Sequence, residues 1–181
     1  LEDPVEYRME GINQSQVETS RGYTFAGGLR SILRQDPDIC MVGEIRDLET
    51  AEIAIQAALT GHLMLSTIHT NSAAGAVPRF LSMGVKPFLL APAMNAIMGQ
   101  RLVRRLAPDH KVPATLTPEQ SERVEGIIAS LPEKVRGEAA GKPRNFFTAG
   151  GEGPDGYKGR IGIYEILTMS PELEQMILSG Q

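Results

Sequence analysis

Short apolar runs alternate with segments of helical periodicity in the first part of the chain. A continuous apolar run at 39–42 and a largely apolar run at 63–68 predict strands that are buried on both faces, as in a parallel sheet. Apolar residues recur on one helical face at 25–35 and again between Asp47 and Gly61. Strands that alternate with helices in this way predict an α/β fold with a largely parallel sheet.

Residues that start and stop helices support these boundaries. Thr24 can cap the first helix, and Pro37 ends it because proline restricts the residue before it. Asp47 can cap the second helix, and Gly61 stands just beyond its end, where glycine is common. Each predicted strand is therefore followed by a short polar segment, and the second segment contains His69.

The character of the chain changes after about residue 105. Eight glycines between 137 and 162 predict loops. Thr117 predicts the capped start of a helix before them, and 161–167 predicts a strand that follows. We therefore divide the chain into an α/β core over 1–105 and a small lobe over 106–181.

Composition narrows the classes of protein that fit this pattern. The 181 residues carry 18 Lys and Arg against 22 Asp and Glu, and the net charge of −4 gives no overall attraction to nucleic acid or anionic lipid. The single cysteine, Cys40, excludes an internal disulfide and a cysteine-only zinc site, and we predict inert packing for it. No run approaches the roughly 20 apolar residues that span a bilayer. We expect a cytoplasmic protein.

Acidic side chains follow the predicted strands, at the edge where open α/β sheets bind ligands. Glu44 comes just after the strand at 39–42, and a carboxylate in this position can serve Mg²⁺-phosphate chemistry. Glu2, Asp3 and Glu6 form a second acidic cluster. Solvated turns beyond a hydrophobic core also carry such residues, so the pattern alone leaves both interpretations open.

Polar and basic residues elsewhere are candidates for phosphate contacts. Thr67 and His69 end the second predicted strand, and His62 precedes it at a spacing unlike that of metalloprotease histidines. Arg30 and Arg34 lie four residues apart on one predicted helix. Arginines on a solvated helix face are the alternative to phosphate contacts across a subunit interface.

Six segments, in order along the chain, resemble a known family. LEDPVE (1–6), MVGEIRD (41–47) and GHLMLSTIHTNSA (61–73) closely resemble the Asp box, Walker B and His box of the secretion-superfamily ATPases, which drive type II secretion and type IV pilus assembly. The other similar segments are TFAGGLRSILRQDPD (24–38), GQRLVRRLAP (99–108) and GYKGRIGIYEIL (156–167). The resemblance thus covers nearly the whole chain.

The resemblance implies a RecA-like P-loop ATPase core with a small C-terminal helical lobe. It implies a motor that couples ATP hydrolysis to pilin or pseudopilin assembly or to protein export, with ATP and Mg²⁺ as cofactors. The implied partners are copies of the chain in a homohexamer and an inner-membrane platform protein, without nucleic acid. The protein would lie at the inner face of the cytoplasmic membrane, held there only through its partners.

Individual roles follow by match to the family's motifs. The catalytic residues would be the Walker B glutamate Glu44, the Asp-box acids Glu2 and Glu6, and the His-box residue His69, which would sense the γ-phosphate. The nucleotide-binding residues would be Asp3, Arg30, Arg34, Arg46, Thr67 and His62.

Two departures from the family qualify these expectations. The chain has no G-x-x-x-x-G-K-[ST] motif, the Walker A loop that in the family precedes the Asp box, so we expect a piece of a longer protein that is inactive alone. The family's lobe commonly carries a four-cysteine zinc knuckle, whereas those positions hold Ala107, His110, Glu152 and Asp155. We therefore predict no metal site and no zinc.

Two other classes of function remain as alternatives. One is a non-catalytic module for oligomerisation or partner docking, such as a pseudo-ATPase or a truncated piece. The other is a nucleic-acid motor with the same fold. Net charge and the 5% aromatic content disfavour the second class, because single strands bind to basic grooves with stacking aromatics.

Overall fold

The computed structural model of the chain describes residues 1–140, 145–150 and 156–180. These residues form two compact units. The first contains Leu1–Gln100 together with Tyr164–Gln181, and the second contains Arg101–Ile163.

The first unit is built on a short parallel pair of strands, β1 (Ile39–Val42) and β2 (Leu63–Ser66). Leu1 lies along the other edge of β1. Its amino group donates to Met41 O at 2.9 Å, and its carbonyl accepts from Gly43 N at 2.7 Å. Both strands lie where the apolar runs predict them, although β2 ends two residues before the predicted bound.

The prediction that both strands are buried on both faces is wrong. Val42 is fully buried, whereas Ile39 and Met41 on the same strand are 62% and 46% exposed. Their partners on β2, Leu63 and Leu65, are exposed as well. Side chains alternate between the two faces of a strand, and the described helices pack against one face only.

Two capped helices pack against the buried face. α1 (Phe25–Leu33) begins after Thr24, whose hydroxyl accepts a backbone N–H at 3.1 Å. α2 (Leu48–Leu59) begins after Asp47, whose carboxylate accepts a backbone N–H at 2.8 Å. Both caps are the residues that the sequence predicts. The two helices contact each other, and Leu29 of α1 is buried in the core between them and the strands.

Two shorter helices follow, α3 (Ala76–Ser82) and α4 (Pro87–Ala93). α3 contains one proline, Pro78, and α4 contains two, Pro87 at its first position and Pro92. Pro78 lies in the first turn of α3, where a backbone N–H has no helical partner in any case, and Pro92 is one residue from the end of α4. Leu90 of α4 is fully buried and packs in the core.

A long strand, β3 (Ala96–Leu106), leads from the first unit into the second. The second unit contains β4 (Lys111–Pro113), α5 (Pro118–Ala129), α6 (Glu133–Ala140) and β5 (Phe147–Ala149). β4 and β5 pair antiparallel. At the start of α5, Thr117 and Gln120 exchange both hydrogen bonds of the predicted capping box.

The chain returns to the first unit through β6 (Tyr157–Thr168), which pairs with β3, and ends in α7 (Pro171–Ser179). α7 packs against α4, and its Ile177 is buried. For this reason the compact units do not follow the boundary between 1–105 and 106–181. The division of the chain into a core over 1–105 and a lobe over 106–181 remains a prediction about which residues work together in function. Among the described residues, every helix is too short or too polar to span a lipid bilayer.

Candidate functional site

Polar side chains gather beyond the carboxyl ends of β1 and β2. Glu44 follows β1, and Thr67 and His69 follow β2. Thr67 ties the two strand ends together, because its hydroxyl donates to Gly43 O at 2.6 Å and its carbonyl accepts from Ile45 N at 3.0 Å. Glu44 therefore lies between two residues whose backbone is fixed. Thr67, predicted to bind nucleotide, has this structural role in the fold.

Glu44 is the buried acid of this cluster, with 8% of its surface exposed. Its Oε1 accepts a hydrogen bond from Nη2 of Arg46. Its Oε2 lies 3.3 Å from Nε2 of His69, within ion-pair distance but without hydrogen-bond geometry. Among the described residues Oε2 has no hydrogen-bond partner. A buried carboxylate oxygen in this state is costly unless a ligand or water completes it, which makes the atom a candidate binding position.

The charge of Glu44 is set by its neighbours. The hydrogen bond from the Arg46 guanidinium holds the pKa of the Glu44 carboxyl below its ordinary value; burial acts in the opposite direction, and His69 adds a smaller lowering. The pKa of Arg46 is raised, chiefly by the same hydrogen bond and to a lesser extent by the charge of Asp3. Glu44 is therefore ionised at neutral pH.

Of the three acids near the start of the chain, Asp3 is linked to this cluster. Asp3 is near enough to Arg46 to act on its charge, which links it to the Glu44 group. Glu2 accepts a hydrogen bond from the Gln14 amide at 2.8 Å through its Oε1. Glu6 is exposed, and no described hydrogen bond or ion pair joins it to the others. The structure thus brings Asp3 to the cluster and shows no such link for Glu6.

Three other predicted nucleotide contacts are not joined to Glu44 in the described structure. Arg30 on α1 pairs with Glu49 at 2.8 Å, and both side chains are exposed. Arg34 is exposed at the end of α1. His62 stands at the start of β2, its Nδ1 3.0 Å from Ala57 O, and therefore lies at the opposite end of the strand from His69.

Within the described ranges, no three His, Cys, Asp or Glu side chains come close enough together to hold a metal ion. Of the four knuckle positions, Ala107 precedes a short 3₁₀ helix (Pro108–His110) and His110 ends it, whereas Glu152 and Asp155 lie outside the described residues. Cys40 is buried in β1, and burial raises the pKa of its thiol. The thiol is therefore protonated at neutral pH, as the prediction of inert packing requires.

Comparison with known proteins assigns the chain to a family. The model of the family described as "Type II/IV secretion system protein" matches residues 1–181. The chain belongs to this family. Type II secretion system protein E of Pectobacterium carotovorum subsp. carotovorum is 50% identical over 177 residues, which are 98% of this chain and 33% of that protein. Type IV pilus assembly ATPase PilB of Myxococcus xanthus is 47% identical over 181 residues, 99% of this chain and 31% of that protein.

The chain thus spans about a third of the length of these curated relatives. Among solved structures, the pilus retraction motor PilT with bound ADP matches with a TM-score of 0.64 and 26% identity, over 99% of this chain and 40% of that one. The predicted family is confirmed, and so is the predicted fold class, a partial RecA-like α/β ATPase fold.

One relationship in the site was missed by sequence reasoning. The family match predicts that Arg46 binds nucleotide, and in the structure its side chain pairs with Glu44. The two side chains are separated by one residue in the turn after β1, and their opposite charges at this spacing were the available signal. Whether such a pair forms depends on the turn, which charge alone does not predict.

Proposed function

We propose that this chain is the part of an ATP-hydrolysing motor of type II secretion or type IV pilus assembly that holds the catalytic acid. The family and the names of the relatives support the class of motor. The observation that carries the proposal is the buried, ionised Glu44, whose Oε2 has no hydrogen-bond partner among the described residues. It lies beyond the strand ends, where open α/β sheets bind ligands.

In this proposal Glu44 orients and polarises the attacking water. Arg46 holds Oε1 and leaves Oε2 to accept from that water. The lowered pKa makes the carboxylate a weak base, so positioning contributes more than proton abstraction before the phosphate bond breaks.

His69 acts beside it as the sensor of the terminal phosphate. Its side chain is 88% exposed, and its Nε2 lies 3.3 Å from Oε2 of Glu44. An imidazole in this position can donate to the carboxylate or turn to donate to a phosphate oxygen. The choice between these partners would report whether the terminal phosphate is present.

ATP and Mg²⁺ are the cofactors that the family implies. The residues fit them, because Mg²⁺ keeps several waters and takes only one or two carboxylates beside the phosphates. Asp3 is the carboxylate that would hold it, and Glu44 would contact it only through water, so no three-residue metal cluster among the described residues is needed. When bound, Mg²⁺ neutralises charge on the phosphates. We propose that the phosphate-cradling P-loop, absent from this sequence, is supplied by the rest of the longer protein.

The same proposal extends to assembly and location. In the intact protein we infer a homohexamer with nucleotide between subunits, at the cytoplasmic face of the inner membrane, with a membrane platform protein as partner. The names of the relatives support a role in a type II secretion or type IV pilus machine. The net charge of −4 supports a motor that does not act on nucleic acid.

The deciding experiment compares two variants of the intact protein. Glu44→Gln should lower the kcat of ATP hydrolysis by roughly 10²-fold or more and retain nucleotide binding, because the isostere keeps the shape and loses the charge. Glu52→Gln makes the same change on the solvent side of α2 and should leave turnover unchanged. Near-normal turnover of Glu44→Gln would refute the assignment.

A further inference from the structure

The loop that carries His69 is fastened at both ends. At its start, Thr67 is bonded to the backbone on both sides of Glu44. At its far end, Ala73 is 1% exposed, and its N–H donates to Oε2 of Glu165 at 2.8 Å. His69 itself is exposed beside Glu44, and the segment that carries it is held to the fold by these backbone contacts at both ends.

Glu165 reaches Ala73 from a distant part of the sequence. It lies on β6, 92 residues further along the chain, and belongs with Ala73 to the first compact unit. A buried backbone N–H needs a partner, and a carboxylate is a stronger one than a carbonyl. Ala73 O is occupied too, since it accepts from Ala76 N at 3.1 Å. Ala73 is thus fixed on both sides of its backbone.

The glycine at position 99 makes room for this contact. Gly99 lies on β3, the partner strand of β6. A Cβ added there would lie 3.2 Å from Ala73 N, 3.3 Å from Oε2 of Glu165 and 3.5 Å from its Cβ. The first two distances are tighter than ordinary contacts. Any side chain at 99 would therefore press on the hydrogen bond itself.

We propose that Glu165 is a positioning residue for the His69 loop. By accepting the Ala73 N–H, it fixes the far end of the loop and holds the His69 imidazole beside Glu44. The effect on catalysis rests on the proposed function above, whereas the anchoring of Ala73 does not. The contact also links β6 to the site. The match to the family's motifs assigns no role in the site to any residue of β6.

The anchor is measured by amide hydrogen exchange in the intact protein. Glu165→Ala should speed exchange at Ala73 by roughly tenfold or more, because the amide loses a charged acceptor. Glu165→Gln keeps an acceptor oxygen and should restore most of the protection. Glu122→Ala removes the same charge from the exposed face of α5 and should leave Ala73 unchanged. Unaltered exchange at Ala73 in Glu165→Ala would overturn the proposal.

The effect on the reaction is measured separately. Glu165→Ala should lower kcat roughly tenfold and change the KM for ATP less than about twofold, because a displaced group affects turnover more than binding. Glu165→Gln should recover most of the turnover. Gly99→Ala should lower kcat in the same way with the carboxylate still present.

Failure of this proposal is distinguishable from failure of the proposed function. If Glu44→Gln is inactive and Glu165→Ala turns over like the parent protein, Glu165 has no positioning role and the proposed function stands. If Glu44→Gln remains active, the proposed function fails, and the exchange at Ala73 still decides whether Glu165 anchors the loop.

Discussion

Arg46 donates from Nη2 to Oε1 of Glu44 in the turn after β1, and the contact joins an exposed guanidinium to a buried carboxylate. The arginine compensates the burial of the acid, and it occupies only one of the two carboxylate oxygens. Glu44 is therefore charged, oriented and still able to accept from a ligand through Oε2. This combination is what distinguishes it from an acid in a solvated turn.

The first prediction concerns the charge of Glu44. Arg46→Met removes the hydrogen bond that lowers the pKa of Glu44 most and leaves the raising effect of burial in place, so this pKa should rise. NMR titration of the Glu44 carboxyl measures the change. Arg34→Met, at the exposed end of α1, should leave the titration where it is. Equal titration curves for Arg46→Met and the parent protein would contradict the assigned cause.

The same shift sets the sign of a pH dependence. The folded-state pKa of Glu44 is lowered, so its contribution to stability is fully present above the range in which an unfolded carboxyl titrates. The contribution is lost as the pH falls through the lowered folded-state pKa. Urea midpoints measured at stepwise lower pH should therefore fall more steeply for the parent protein than for Glu44→Gln.

The two histidines that flank β2 should behave differently. His69→Ala should lower the kcat of the intact ATPase roughly tenfold or more, because it removes the group beside Oε2 of Glu44. His62→Ala, at the opposite end of the strand, should leave kcat within about twofold. Steady-state ATP turnover checks both. A larger loss of kcat in His62→Ala than in His69→Ala would contradict the placement of the site at the carboxyl end of β2.

The cap of α2 should contribute measurably to stability. Asp47 accepts from the backbone N–H of Thr50 at 2.8 Å and from its hydroxyl at 3.0 Å, and Thr50 is fully buried. Asp47→Ala should therefore lower the free energy of unfolding by about 1 to 3 kcal/mol, from the lost cap and an unpaired hydroxyl. Glu49→Ala, exposed in the same turn, should cost far less in the same denaturation assay.

Two neighbours on β1 should differ in what their truncation costs. Val42→Ala opens a cavity at a fully buried position and should cost about 1 to 3 kcal/mol. Met41→Ala, one residue earlier and half exposed, should cost less than about 1 kcal/mol. Chemical denaturation measures both. Equal losses in the free energy of unfolding would mean that the face of β1 that carries Met41 is covered in the protein in solution.

Much of the local structure was predictable because it depends on contacts within a few residues. Thr24, Asp47 and Thr117 cap their helices as their side-chain chemistry predicts. The meeting of Glu44 and His69 was also predictable, because the ends of neighbouring parallel strands share one edge of a sheet. The sequence therefore predicts the types of residue in the site and the edge of the sheet at which they lie.

The tertiary structure alone decided which groups meet across long stretches of chain. The sequence determined where strands and helices begin and which acid follows β1, because short-range periodicity and capping carry that information. It did not determine that one face of β1 is exposed, that His62 lies away from Glu44, or that Glu165 holds the Ala73 N–H. Those facts depend on how separate elements pack, and a contact between residues 92 positions apart leaves no local pattern.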